Sequence, residues 1–578
     1  MRCKSRLWEH LYILLFFVGC WLWLFLVQPY HISFKEETGA FIRLPGMFAA
    51  YMSKPAALSA FIGDFLTQFF WYRALGPTIL CALFVLLWLG TAKALVRCGV
   101  ERVAYLLALL PVAVEAGFVS YLNYPLSATV AFVSAVWLSV ACMQRPSRNG
   151  FDLLAWVMIT LSYSLLTGGQ VITVLVLFLL YRRRVNWRIL IVEILMLSGA
   201  ILILGSNFEL SPLGRLVYPV IPGYKLPALI LLALGPVSVL LAGILGLSGF
   251  KPSYSAVLSC VALSVSLTSS FNSQEEYMVR MSVNAYRGHW DKVWTLAEDA
   301  PESMFFGTFY RDVCLARKSE LPDRLLEFGQ KGSDGMHVPV ERGTDYLWLF
   351  ASIDQLMEVG DIPQATGCAL LCQTIMPGGN STFALRRLSE LAIISGDSDV
   401  AKKYLDMLSH TVVHRRWAEA MKDSLTAGHL PQELSYYQAI ASKSDRLFLQ
   451  SDWYGSLESL AATNPANRTA IDYLLCAHLL DKQLQSFVAE YDKYYLNRFD
   501  RLVHVPILYQ EALVTGITDS ESYRETVSKY QIDSDVTQRY SRFLEALDKS
   551  GGNVGELGEY KGTYWYYLVS NRLSSNNN

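Results

Sequence analysis

Apolar runs of near-membrane length fill residues 1–271, and amphipathic periodicity replaces them afterwards. Nine apolar segments can be read, at 8–27, 75–95, 103–121, 125–143, 151–167, 170–181, 187–205, 225–248 and 254–271. Crossing about 30 Å of hydrocarbon takes about 20 helical residues, and only a helix satisfies its own backbone hydrogen bonds there. All nine are therefore expected to be transmembrane helices. Gly168-Gly169 separates the fifth from the sixth. The sixth reaches full length only if Tyr181 and the arginines after it extend to the interface.

Beyond Phe271 the apolar residues recur at i, i+3 and i+4, and few stretches alternate as strands do. A glycine followed five residues later by a small or apolar residue also recurs: Gly288 with Val293, Gly360 with Ala365, Gly396 with Ala401. Ser319 with Arg324 and Lys482 with Phe487 are degenerate versions. This spacing predicts helix hairpins, in which the first helix ends on a left-handed residue and a small residue lets the second pack closely. Gly360 and Gly396 lie 36 residues apart, near the roughly 34-residue tetratricopeptide period. Over about 275–500 the chain resembles tetratricopeptide-like repeats, and a generic α-solenoid is the alternative. The expected fold is all-α: a polytopic transmembrane domain at 1–272, then a soluble α-solenoid at 273–578. The aromatic stretch Tyr560 to Tyr567 reads as a closing helix, and the terminal Ser-Ser-Asn-Asn-Asn as disordered.

Charge orients this plan. Residues 1–270 carry 19 Lys/Arg against 9 Asp/Glu. With the N-terminus inside, 13 of the 19 fall in cytoplasmic segments, where the positive-inside rule has force. The other six, Lys35, Arg43, Lys54, Arg73, Arg215 and Lys225, lie in two external loops. An odd number of spans then puts the C-terminal domain in the periplasm, with the chain in a bacterial inner membrane. A phosphatase fused at residue 300 is accordingly expected to be active and one at residue 148 silent; silence at 300 would reverse the orientation. Residues 271–578 carry 30 basic and 41 acidic side chains, a net of −11, which argues against a nucleic-acid partner.

Candidate chemistry is sparse. The chain lacks a phosphate-binding loop, a zinc-protease helix, a nucleophile elbow and a usable dinucleotide fingerprint. Cys368 and Cys372 are four apart and read as small buried residues on one helix face. His410 and His414 read as a solvated helix face. The informative stretch is the first external loop, 28–74. It opens with Lys35-Glu36-Glu37 just beyond the first span, and two short apolar-aromatic segments follow, Met47–Met52 and Pro55–Tyr72. Those two fit amphipathic helices lying in the interface.

The order of span, acidic pair, two interfacial helices and second span resembles the C-type glycosyltransferases. These multi-pass enzymes move sugar from a polyprenyl-phosphate donor, and many carry a soluble C-terminal domain. The resemblance implies that Glu36 or Glu37 is the general base or a ligand to a divalent metal; no other cofactor is indicated. Desolvation raises a carboxylate's pKa toward a useful range, so the role is physically sensible. The plainer reading of Lys-Glu-Glu is a solvated turn. Glu115, within the third span, is costly to bury and joins the candidates, with a helix–helix hydrogen bond as the alternative. Arg215 and Lys225 suit a donor phosphate, and equally an interfacial anchor.

Gly63-Asp64-Phe65-Leu66-Thr67-Gln68-Phe69-Phe70 and Tyr564-Trp565-Tyr566-Tyr567 also make the whole chain resemble an uncharacterised family of multi-pass proteins from Gram-negative anaerobes. Two function classes stay open. One is a glycosyltransferase acting on an envelope glycan or glycoprotein. The other is a non-enzymatic scaffold whose exported repeats bind a partner protein.

Overall fold

Every regular element in the computed structural model is helical, and no strand occurs among the described residues. The structure describes the chain except residues 1, 101–102, 144–152, 183–190, 192–194, 196–197, 200–201, 204, 207, 221–227, 331, 339–344, 377–378, 444–451, 465, 497–504, 516–519 and 571–578. The chain divides into two compact units. Unit 1 comprises Met1–Val279 with Met376–Thr382 and Met407–Ala418; unit 2 comprises Arg280–Ile375, Phe383–Asp406 and Glu419–Asn578.

Among the described residues of unit 1, five helices are long and apolar enough to cross a membrane: Trp8–Val27, Leu75–Arg97, Val157–Arg182, Ala228–Leu247 and Pro252–Ser270. Two shorter apolar helices, Ala104–Val119 and Leu126–Cys142, stand where the third and fourth spans were expected. Of the nine expected spans, the described residues thus support five of membrane length. Segments 151–167 and 170–181 belong to one interrupted helix of 26 residues, and 187–205 lies largely outside the described residues. At the interruption the helix widens to a π turn at Tyr163–Thr167 and tightens to a 3-10 turn at Gly168–Gln170. Gly168 takes φ +48° there, and a Cβ on it would come within 2.4 Å of the Tyr218 carbonyl oxygen. The glycine pair therefore breaks helical geometry without ending the helix.

Small residues set the close contacts between helices. A Cβ on Gly63 would meet Ser127 N at 2.5 Å, and one on Gly117 would meet Ser266 Oγ at 2.2 Å. The Ala57–Thr67 helix therefore lies backbone to backbone on Leu126–Cys142, as small residues permit in apolar surroundings. The first loop folds into Pro29–Glu37, Met47–Met52, Ala57–Thr67 and the 3-10 turn Gln68–Trp71. The two expected short helices are present, and a third, Pro29–Glu37, replaces the expected solvated turn.

Unit 2 is a succession of helices joined by tight turns. All five positions singled out by spacing are left-handed: Gly288, Gly360 and Gly396, and also Ser319 (φ 58°) and Lys482 (φ 59°). Each carries a Schellman-type closure, with the next residue's N–H bonded five residues back, as in Asp361 N to Leu356 O and Gln483 N to His478 O. Val293, Ala365, Ala401 and Phe487, the residues five later, are wholly buried. Gln531 (φ 53°), with buried Val536 five residues on, is another such turn that the sequence reading missed. Helix hairpins are thus established, which is a coarser result than a tetratricopeptide-type solenoid. Cys368 and Cys372 are free thiols.

Candidate functional site

The Pro29–Glu37 helix gathers the ionisable groups of unit 1. Proline at its first turn needs no N–H partner. The next two amides, of Tyr30 and His31, donate to the Glu276 carboxylate at 3.0 and 3.2 Å. At the other end the freed carbonyls are met by hydroxyls: Thr382 Oγ1 donates to Glu36 O at 3.0 Å and Ser381 Oγ to Glu37 O at 2.7 Å. Both ends of the helix are therefore satisfied by residues more than 240 positions away in sequence, and every side chain from His31 to Glu37 is buried.

Each polar side chain on it has its own surroundings. His31 Nδ1 bonds Glu276, and its Nε2 lies 3.8 Å from Glu275. Burial alone would lower the His31 pKa, but the adjacent Glu275 and Glu276 carboxylates outweigh it and raise the pKa above the ordinary value. Lys35 Nζ donates to the carbonyls of Tyr121 (2.8 Å) and Tyr124 (2.6 Å). Burial pushes the Lys35 amine down to about 7, with the nearby Glu115 charge opposing. Glu36 Oε1 and His414 Nε2 are 2.8 Å apart, both side chains sealed from solvent. Glu36 Oε2 is buried with no hydrogen-bond partner among the described residues.

His414 corrects the sequence reading. The helix Ser398–Ser409 ends before it, so His410 to His414 form a turn rather than a solvated helix face. The His414 ring packs edge-on against Trp71, centroids 4.9 Å apart. Its turn is fixed to the first loop by backbone: Val412 N donates to Gln68 Oε1 at 3.1 Å and Arg43 N to His410 O at 3.2 Å. A histidine between two helix ends was the only available signal, and a weak one.

Among the other candidates, Glu115 accepts from Tyr124 Oη at 3.0 Å and Thr129 Oγ1 at 2.7 Å, and so joins its helix to the next. Tyr124 links it to the Glu36–Glu37 helix, since its carbonyl accepts from Lys35 and its hydroxyl donates to Glu115, so Glu115 stands in the same region as the acidic pair. Arg215 does not join them. It follows the Ser211-capped start of Pro212–Val217, and its Nη2 donates to Phe208 O at 3.0 Å. Lys225 lies outside the described residues. Among the described residues no group of three or more His, Cys, Asp or Glu is placed to hold a metal ion.

A family model covers residues 4–571, that of the family of unknown function DUF6057. The chain belongs to this family. Membership spans nearly the whole chain, both units included, as the whole-chain resemblance implied. No curated protein and no solved structure matches the chain. No match therefore carries the likeness to tetratricopeptide repeats or to C-type glycosyltransferases.

Proposed function

We propose that the protein is an inner-membrane enzyme, N-terminus cytoplasmic and C-terminal domain periplasmic. It would transfer sugar from a polyprenyl-phosphate donor to a hydroxyl of an envelope glycan or glycoprotein. The observation that carries this reading is the buried Glu36–His414 pair, whose carboxylate keeps one oxygen without a partner among the described residues. A buried carboxylate beside a histidine is the kind of group tuned for proton transfer. Glu36 Oε2 takes the proton of the acceptor hydroxyl as that oxygen attacks the anomeric carbon, and the lipid phosphate leaves with its electron pair. His414, on the other oxygen, positions the carboxylate, and Glu37 lies beside it on the same helix. Arg215 and Lys225 are the cations proposed to meet the donor phosphate.

Sealing favours a second reading. Glu36 is 2% and Glu37 0% exposed, and both ends of their helix are capped. On that account the polar helix is architectural, and the protein is a scaffold whose periplasmic hairpins bind a partner protein. One experiment separates the two. The purified protein in proteoliposomes is given a panel of radiolabelled polyprenyl-phosphate sugars. Transfer or donor hydrolysis is expected, and Glu36→Gln should lower the rate at least about a hundredfold while the variant still inserts. Absence of turnover with every donor, with Glu36→Gln impairing only thermal stability, would leave the scaffold reading.

A further inference from the structure

The Gly63 to Phe70 motif contains one charged residue, Asp64, and the acid–base reading makes no use of it. Gly63 lies against the Ser127 backbone, which fixes this turn of the Ala57–Thr67 helix. Asp64 is exposed. Its Oδ2 accepts from Tyr51 Oη at 2.9 Å, and its Oδ1 has no hydrogen-bond partner among the described residues. Lys54 stands nearby, on a turn closed by its own N–H to Tyr51 O at 3.1 Å. Desolvation by the surrounding protein pushes the Asp64 carboxyl up to about 6, opposed by the Tyr51 hydrogen bond and by the Lys54 charge. The two charges therefore feel each other, yet they form no ion pair, and Lys54 Nζ has no partner among the described residues. Tyr218 completes the group: burial raises its pKa, and the Asp64 charge adds to the rise.

These charges stand among apolar side chains that face outward. Phe48, Met52, Leu58 and Phe65 of the first loop are exposed, and so are Leu213 and Leu216 of the Pro212–Val217 helix. The two segments share one surface, because Glu209 N donates to Ser53 O at 3.1 Å. Phe48 and Tyr51 both pack edge-on against Phe61, at 5.6 Å. The membrane-length helix Leu75–Arg97 follows directly on this loop. Short helices with exposed aromatic and aliphatic residues beside a span belong at headgroup depth. At that depth, an accessible carboxylate near an unbridged ammonium is the complement of a headgroup that carries both a cation and an anion.

We infer that this surface binds the headgroup of a phosphoethanolamine lipid. The lipid ammonium donates to Asp64 Oδ1 beside the Tyr51 and Tyr218 rings, which suit a cation. The phosphate meets Lys54, a point charge free to follow it. The acyl chains run along Phe48, Met52, Leu213 and Leu216. A primary ammonium is specified because Asp64 Oδ1 accepts a hydrogen bond, which a trimethylated headgroup cannot donate. An anionic glycerol headgroup satisfies Lys54 but brings no cation to Asp64. None of Glu36, Glu37, Arg215 or Lys225 takes part, and the test does not depend on sugar transfer.

The test is native mass spectrometry of the full-length protein in detergent, titrated separately with dioleoyl phosphatidylethanolamine, phosphatidylcholine and phosphatidylglycerol. The ethanolamine lipid is expected to bind about tenfold more tightly than the choline lipid, and also more tightly than the glycerol lipid. Asp64→Asn changes one exposed group and keeps an acceptor for Tyr51, so the fold persists, and ethanolamine affinity should fall to the choline level. Lys54→Gln should weaken both lipids and leave their ratio unchanged. Soluble phosphoethanolamine, which has the charges without the chains, should not displace the lipid at equal concentration. Equal binding of the ethanolamine and choline lipids, a preference that survives Asp64→Asn, or full affinity in Lys54→Gln would each overturn the headgroup assignment. Tighter binding of the glycerol lipid would do the same, and displacement by soluble phosphoethanolamine would overturn the assignment to a lipid.

Discussion

Gly360→Ala is expected to destabilise unit 2 by about 3 kcal/mol, and Gly396→Ala by only about 1. Both glycines end a helix in left-handed geometry, at φ +81° and +79°, so both variants carry the same conformational penalty. Their surroundings differ. A Cβ at Gly396 meets nothing within 4 Å, whereas at Gly360 it would lie 2.4 Å from Ile440 O and 2.8 Å from Asn467 Nδ2. That amide is committed, donating to Val359 O at 2.7 Å and Ile440 O at 2.9 Å, and Ser442 N donates to Gly360 O at 2.8 Å. A methyl group there pushes apart three segments that share these bonds. Thermal melting of full-length protein, followed by circular dichroism, should rank wild type above Gly396→Ala and both well above Gly360→Ala. Equal melting of the two variants would mean that the Ile440 contact yields without cost.

The same glycine shows what could be read in the chain. That position 360 ends a helix is local information: the residue, the apolar spacing on either side and Ala365 all lie within one turn of the event. The degenerate positions Ser319 and Lys482 were found by the same logic, although neither is glycine. That Ile440 and Asn467 press on Gly360 is long-range information, and nothing near residue 360 encodes it. The interrupted helix divides likewise. Gly168-Gly169 announced a break, while the continuation of the helix through it depends on loop contacts such as Gly169 N to Tyr218 O at 2.8 Å.

The candidate site was legible only as a set of residues. Lys35-Glu36-Glu37 looks like a solvated turn because three adjacent charges usually are one, and burial is tolerated only with partners supplied. Those partners are the Tyr121 and Tyr124 carbonyls for Lys35 and His414 for Glu36, the last 378 residues from Glu36. Local pattern cannot choose His414 from nine scattered histidines. Glu115 was found because a carboxylate in an apolar segment is conspicuous by itself, and its bond to Thr129 required the neighbouring helix.

Two groups on that helix should give the protein opposing pH dependences, which single variants will separate. The folded pKa of His31 is raised above its unfolded value by Glu275 and Glu276. Its contribution is fully present below about pH 6.5 and is lost as pH rises through the folded pKa. Lys35 behaves oppositely. Its amine falls from the ordinary 10.5 to about 7 in the folded protein, so between those values the unfolded chain binds more protons and stability rises with pH. A shift of that size corresponds to about 5 kcal/mol across the window. Breaking the buried His31–Glu276 pair by removing one member costs about 3 kcal/mol or more. In Lys35→Met, where the amine no longer titrates, melting temperature in detergent should fall as pH rises from 6 to 9. In His31→Asn it should start lower at pH 6 and rise over the same range, because the lysine remains and the histidine does not. Glu276→Gln should resemble His31→Asn at pH 6 and approach the wild type at high pH, where His31 is neutral in both. Parallel profiles for Lys35→Met and His31→Asn would mean that neither group is held as the Pro29–Glu37 helix holds it here.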